Sequence, residues 1–190
     1  MQSESWDLLR QTLAQRLSSG ASLILAIDGR CGSGKTTLAE ALRQEWGGRV
    51  FHTDDYYLPL RARRPDWERT PAANMDLARL RSEVLLPAAQ GRTVTTQRYD
   101  CASGQLAEAV TVPPAQLTIV EGSYCLHPAL RSFYDVTVFM TCSAETQRTR
   151  LMAREGERFA AFETRWIPLE EKYHKMYGIP DAAQFTLVTD

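Results

Sequence analysis

Two adjoining stretches decide the fold: Ser22-Leu-Ile-Leu-Ala-Ile-Asp28, then Gly29-Arg-Cys-Gly-Ser-Gly34-Lys35-Thr36-Thr37. The first is a short apolar run between turn signals, the pattern of a strand buried on both faces of a parallel sheet. The second fits GxxxxGK[ST] without exception. Gly29, Gly32 and Gly34 let the backbone turn so that successive N–H groups face inward. With the N-terminus of the helix that follows, those groups make an anion site. Lys35 can reach the β- and γ-phosphates of a nucleotide, and the Thr36 hydroxyl can coordinate Mg²⁺. Ser33 and Thr37 complete the expected ATP-binding stretch. A glycine-rich turn that binds nothing is the alternative, and it leaves the full motif in its full context unexplained. Cys31 reads as a small filler, with a reactive thiol at a helix N-terminus as the other reading.

Outward from the loop, strands and helices alternate. Residues 4–18 read as an amphipathic helix, with Trp6, Leu9, Leu13 and Leu17 at helical spacing. Lys35–Trp46 reads as a helix ended by Gly47-Gly48, and Arg49–Thr53 as a second strand. The stretch 59–75 holds three prolines and four arginines and reads as an exposed loop or acceptor-side subdomain. Asp76–Gln90 reads as a helix that Asp76 can cap. Val94–Tyr99 pairs with Glu108–Val112 as a hairpin. Gln116–Glu121 and Asp135–Thr141 read as core strands, with Ser143 capping the helix between the latter and Arg154. A long helix over 159–177, kinked at Pro168, precedes a last strand, Phe185–Thr189. Such alternation implies right-handed crossovers and a parallel sheet. The expected architecture is α/β: a P-loop NTPase three-layer α/β/α fold on a five-stranded parallel sheet. It is one domain over 1–190, with an N-terminal helix (1–20), an acceptor-side insertion (55–114) and a lid (154–163).

Composition narrows the function. The 190 residues carry 22 Lys+Arg against 23 Asp+Glu, a net charge of −1. A protein that holds nucleic acid by its global field is usually strongly basic. No run of ~18 apolar residues suggests a membrane span, and the first residues do not read as a signal peptide. Four cysteines without CxxC spacing fit a reducing cytoplasm. The expected partner is therefore a small-molecule acceptor, with no nucleic acid and no membrane; a homo-oligomer stays open.

The chemistry-bearing positions lie at strand ends. Phe51-His52-Thr53-Asp54-Asp55-Tyr56-Tyr57 closes the second strand. In a doubly wound sheet strand C-termini face the ligand crevice, so Asp54 can accept the proton of an attacking hydroxyl or bind Mg²⁺ through water. Its alternative is a turn aspartate. Glu121 ends the third strand where P-loop enzymes carry a metal-side carboxylate. Arg150 and Arg154 share a helical face that Arg158 would continue. Arginines there can neutralise phosphate charge in the transition state. A solvated, salt-bridged helix is the alternative for them and for Arg148.

Taken in order, GRCGSGKTT, HTDDYY, Asn74-Met75-Asp76, Gln97-Arg98-Tyr99-Asp100 and VEGSY resemble the uridine kinase family of P-loop kinases, relatives of phosphoribulokinase and bacterial pantothenate kinase. The resemblance runs from about residue 21 to the C-terminus. It implies an ATP- and Mg²⁺-dependent small-molecule kinase with Asp54 as general base and Lys35, Glu121 and Arg154 as catalytic groups. It puts Tyr57, Asp76, Tyr99, Asp100 and Arg158 at the acceptor, and Mg²⁺ on Thr36, Glu121 and Asp54, directly or through water. The family's histidine after Tyr-Asp is missing from Cys101–Gln105, which points away from uridine while leaving phosphoryl transfer intact. A nucleoside monophosphate kinase, using Arg61, Arg63 and Arg64 as a phosphate clamp, and a non-catalytic ATP-binding regulator are the competing readings.

Overall fold

The computed structural model describes residues 3–190. Nine strands follow in chain order: β1 Leu23–Gly29, β2 Arg49–His52, β3 Val94–Thr96, β4 Tyr99–Asp100, β5 Gln105–Leu106, β6 Val110–Val112, β7 Leu117–Glu121, β8 Val136–Thr141 and β9 Phe185–Val188. Five form one sheet in the order β2-β7-β1-β8-β9, and every pairing is parallel. Because side chains alternate across a strand, each core strand feeds two layers. Leu23, Leu25 and Ile27 pack with Leu9 and Leu13 of α1 (Ser3–Ser18) and with Leu38 and Leu42 of α2 (Lys35–Trp46). Ile24 and Ala26 face the other way, against a helical stretch over 77–89, here α3, and against Tyr173 and Ile179. The result is a three-layer α/β/α fold, and the period-2 apolar pattern in the sequence is what divides its two cores.

Two helical stretches show how prolines are absorbed. In α3 a wide turn, Arg81–Leu85, separates Leu77–Leu80 from Leu86–Ala89, and the Leu86 amide bonds Arg81 O. The helical run over 159–177, α5, repeats this: a wide turn at Phe162–Trp166 precedes Ile167–Tyr177, and the Ile167 amide bonds Phe162 O. Pro87 and Pro168 sit just after these turns. A proline cannot donate to the carbonyl four residues back, and the five-residue step accommodates that loss. Asp76 Oδ1 caps α3 through the Arg79 amide at 3.0 Å. Ser143 caps α4 (Ala144–Glu155) through the Thr146 amide.

The hairpin forms with its ladder broken. β3 pairs antiparallel with β6 and β4 with β5. Two residues separate β3 from β4 and three separate β5 from β6, a bulge that shifts the register by one. One expected continuity is absent. Gly156, at φ 56°, ends α4, so Arg158 lies in a separate turn rather than on the face shared by Arg150 and Arg154.

Gly29, where β1 enters the loop, has φ 135°, and a Cβ there would lie 1.9 Å from Met140 O of β8. Gly91 is also left-handed, at φ 64°, but nothing lies within 4 Å. Gly29→Ala is therefore expected to cost about 3 kcal/mol or more, and Gly91→Ala about 1 kcal/mol from backbone strain alone. Urea unfolding of the two variants checks the difference.

Candidate functional site

β2 and β7 end at one level beside Ile27 of β1: the register pairs both Ile27 and His52 with Glu121. Side chains from these ends therefore meet. His52 Nδ1 lies 2.6 Å from Glu121 Oε1, and Thr36 Oγ1 in the first turn of α2 donates to the same oxygen at 3.0 Å. Glu121 is buried. Its hydrogen bond to His52 raises that imidazole above its ordinary pKa, against the opposing effect of burial.

The next residue, Gly122, has φ 126°, and a Cβ there would lie 2.1 Å from Thr53 Oγ1. Thr53 Oγ1 donates to Ser123 O at 2.9 Å. This close approach fastens the ends of β2 and β7 together and sets Asp54 on the cleft wall. Asp54 opens to solvent along the cleft, and the Tyr57 hydroxyl donates to its Oδ1 at 2.9 Å. The protein packed around it strips water from the carboxyl and pushes its pKa up; Tyr57 and Lys35 pull the other way.

The loop is oriented from behind. Gln147 Nε2 donates to Cys31 O at 3.0 Å, Arg150 to Gly32 O at 3.2 Å, and Thr189 Oγ1 to Ser33 O at 2.8 Å. In a trans peptide the carbonyl and the following N–H point to opposite sides. Holding Cys31 O and Ser33 O therefore also fixes the Gly32 and Gly34 amides, which point to the opposite side of each peptide from these partners. Lys35 Nζ lies against Gly29 O at 2.7 Å and Arg30 O at 3.0 Å.

A second layer lies beneath. Buried Asp28 accepts from the Gly29 and Leu126 amides and from the Tyr173 hydroxyl, at 2.7, 2.8 and 2.8 Å. Burial raises its pKa, with nearby His174 and these bonds opposing. Glu170 of α5 accepts from the Cys31 amide at 2.9 Å and from the Ser123 hydroxyl. The Cys31 thiol is buried, and burial together with Glu170 pushes its pKa up, so the filler reading is the one its surroundings favour.

A cavity of about 1100 Å³ joins these parts. The loop residues Gly32, Ser33, Gly34, Lys35, Thr36 and Thr37 line one end. Asp54, Tyr57 and Glu121 line it as well, and so do Arg150 and Arg154. The other expected residues lie elsewhere. Gly29 sits behind the loop against β8. Asp76 is engaged as the α3 cap and lies 3.5 Å from Arg79 Nε. Tyr99 is buried in the hairpin, and Asp100 accepts from the Ala102 and Ser103 amides in its turn. Arg158 is exposed and pairs with Glu155, and Arg148 pairs with Glu163. Sequence reasoning missed Asp28, His52, Asn74, Gln147, Glu170 and Thr189. Glu170 had a signal: Leu169, Glu170, Tyr173 and His174 are all buried on α5, so ionisable groups interrupt its inward stripe.

Among the described residues no group of three or more His, Cys, Asp or Glu could hold a metal ion, and no helix is long and apolar enough to cross a membrane. The Thr36 and Glu121 oxygens, 3.0 Å apart, still fit Mg²⁺, which keeps several waters and takes few protein ligands beside phosphate.

A buried strand, a phosphate-type loop opening a helix and an acid at the neighbouring strand end define a P-loop α/β protein. No family model matches the chain. A uridine kinase of Clostridium perfringens is 25% identical over 144 residues, 70% of this chain and 68% of its own length. A Bacillus stearothermophilus structure described as a possible uridine kinase has a TM-score of 0.68 at 21% identity, over 93% of this chain and 99% of that one. Shikimate kinase from Acinetobacter baumannii shares the fold with a TM-score of 0.52 at 15% identity, over 92% of this chain and 88% of its own. The chain is thus similar in sequence to a uridine kinase and similar in fold to P-loop kinases.

The raised pKa of Asp54 has a consequence for stability. A carboxyl whose folded pKa exceeds its unfolded value costs stability once ionised, above the folded pKa, and nothing below the unfolded one. Asp54→Asn is expected to melt higher than the wild type at pH 8, with the gain shrinking as pH falls toward the ordinary carboxylate range. Thermal denaturation across that range checks it.

Proposed function

We propose that the protein transfers the γ-phosphoryl group of ATP to a hydroxyl of an uncharged small molecule, a nucleoside or another sugar-like alcohol. The observation that carries this reading is Asp54: a carboxylate bonded by Tyr57, sharing one cavity with Lys35 and the loop amides. Nothing in simple nucleotide binding uses a base there.

In the proposed mechanism the triphosphate lies on the amides of 32–37, with Lys35 released from Gly29 O and Arg30 O to the β- and γ-oxygens. Thr36 and Glu121 would hold Mg²⁺, with Asp54 sharing it directly or through water; when bound, the ion would offset charge on the phosphate oxygens. His52 keeps Glu121 turned to the cleft. Asp54 takes the proton of the acceptor hydroxyl as its oxygen attacks, and the raised proton affinity it has in the cleft suits it to that task. Arg150 and Arg154 offset charge on the transferring group. The segment 154–163 would act as the lid that excludes water over them.

The arginines of the acceptor-side loop favour a phosphate-free acceptor over a monophosphate. Arg63 lies 4.6 Å from the Trp67 ring and 5.8 Å from the Tyr57 ring. Arg64 pairs with Asp66. Neither they nor Arg61 line the cavity.

ADP release from Mg-ATP, measured with a panel of nucleosides, nucleotides, sugars and pantothenate, tests the proposal. Stimulation by a phosphate-free alcohol is expected; stimulation by monophosphates alone would replace it with the monophosphate kinase reading, and none at all would leave a regulator. Asp54→Asn is expected to lower turnover by about 10²-fold or more while ATP binding, followed by calorimetry, persists. Retained turnover in that variant removes the base assignment.

A further inference from the structure

Among the arginines of the acceptor-side loop, Arg63 folds back onto the loop itself. Its Nε donates to Leu58 O at 2.8 Å. The guanidinium carbon lies 4.6 Å from the centre of the Trp67 ring and 5.8 Å from that of Tyr57. A cation within about 6 Å of an aromatic centroid is attracted to the ring, and a flat guanidinium can also stack on it. Arg63 is half-buried, so less water screens that attraction. Arg64, by contrast, is exposed and pairs with Asp66 two residues on.

Each of the two rings leads further. Trp67 is fastened to α5: its ring lies 6.0 Å from that of Trp166, and Arg165 lies 5.7 Å from both rings. Arg165 also pairs with Glu68 at 3.0 Å, and Lys172 donates to Arg69 O at 2.7 Å. Tyr57 lines the cavity, and its hydroxyl donates to Asp54 Oδ1 at 2.9 Å. The backbone beside Tyr57 is held from two sides, because the Leu58 amide donates to Asn74 O while Leu58 O receives Arg63.

Asp54 is open to solvent along the cleft, so nothing packed over it sets its rotamer. Among the described residues the Tyr57 hydroxyl is the one hydrogen-bond donor to its carboxyl. The orientation of the carboxyl therefore rests on the Tyr57 ring, and the ring rests on Arg63. We infer that Arg63 is a positioning residue: it holds Tyr57 so that the phenol aims the Asp54 carboxyl, and through Trp67 it ties that geometry to α5. Arg63 does not line the cavity, so it acts through Tyr57 and not on the acceptor. The inference rests on the kinase reading above. A base must be held close to its productive geometry, and a small misplacement lowers the rate.

The test measures ADP release from Mg-ATP, with the acceptor that the panel identifies, for the full chain as wild type, Arg63→Gln, Tyr57→Phe and the double variant. R63Q is expected to lower kcat about three- to tenfold, the size of a cation–ring contact. The KM for ATP does not follow, and the acceptor KM changes less than kcat. Y57F loses at least as much, and R63Q costs nothing further in the Y57F background, since both act through one contact. Arg63→Met, which keeps the stem and drops the cation, behaves as R63Q does and replaces it if R63Q fails to fold. Arg64→Gln removes the same charge from the same loop and leaves kcat and both KM values unchanged. An R63Q kcat within about twofold of wild type overturns the assignment. So do R63Q and Y57F losses that multiply in full in the double variant, or an R64Q loss that matches that of R63Q. Absence of acceptor-dependent ADP release in the wild type is a different result: it removes the kinase reading, and this inference with it.

Discussion

A carboxylate held where β2 and β7 run out beside β1 is the constraint on which the cleft depends. Glu121 faces the α1–α2 side because it has the parity of Leu117 and Ile119, which pack in that core. A slip of one residue in the β7 register would turn Val120 to Thr36 and His52 and drive the carboxylate into the opposite core. Apolar packing on both faces of the sheet, rather than any local feature, thus fixes where Glu121 can be. His52 and Thr36 then fix how it points.

The phosphate-type loop depends on the rest of the chain in a comparable way. Its own residues supply amides and glycines, but their direction is set by Gln147 and Arg150 on α4, Glu170 on α5 and Thr189 after β9. Helix α5 is tied in turn to the acceptor-side loop: Arg165 pairs with Glu68 at 3.0 Å, Lys172 donates to Arg69 O, and the Trp67 and Trp166 rings are 6.0 Å apart. The same helix therefore touches both the loop and the wall opposite it. A change at either end of α5 reaches the Gly29–Thr37 loop through Glu170 and the 59–75 stretch through Trp166.

The parts legible in the sequence were those written locally. Gly29–Thr37 declares its turn and its chemistry within nine residues, and the apolar runs of β1, β7 and β8 declare a buried parallel sheet. Ser143 and Asp76 read as helix caps because a cap acts over three residues. Asp76 also shows the limit of that reading: the carboxylate that caps α3 is not among the residues facing the cavity. The partners of the loop carbonyls could not be read, because Cys31 and Gln147 lie 116 positions apart, and Ser33 and Thr189 156. Pro168 marked the break in α5, while Asp76–Gln90 read as one helix in spite of Pro87, because whether a proline kinks, ends or widens a helix is settled by packing.

The distribution of unpaired buried atoms separates the two halves of the cleft. Among the described residues four such side-chain atoms remain: Ser33 Oγ, Asn74 Oδ1, Tyr134 Oη and His174 Nε2. Ser33 and Asn74 line the cavity, one on each side of it, and His174 adjoins Glu170 on α5. Folding normally satisfies such groups, and unsatisfied ones persist where function requires them. On the phosphate side the backbone is held by many bonds and one hydroxyl is left open. Across the cavity the Asp54 carboxyl is held at a raised pKa by the protein packed around it, and Tyr57 and Lys35 oppose that shift.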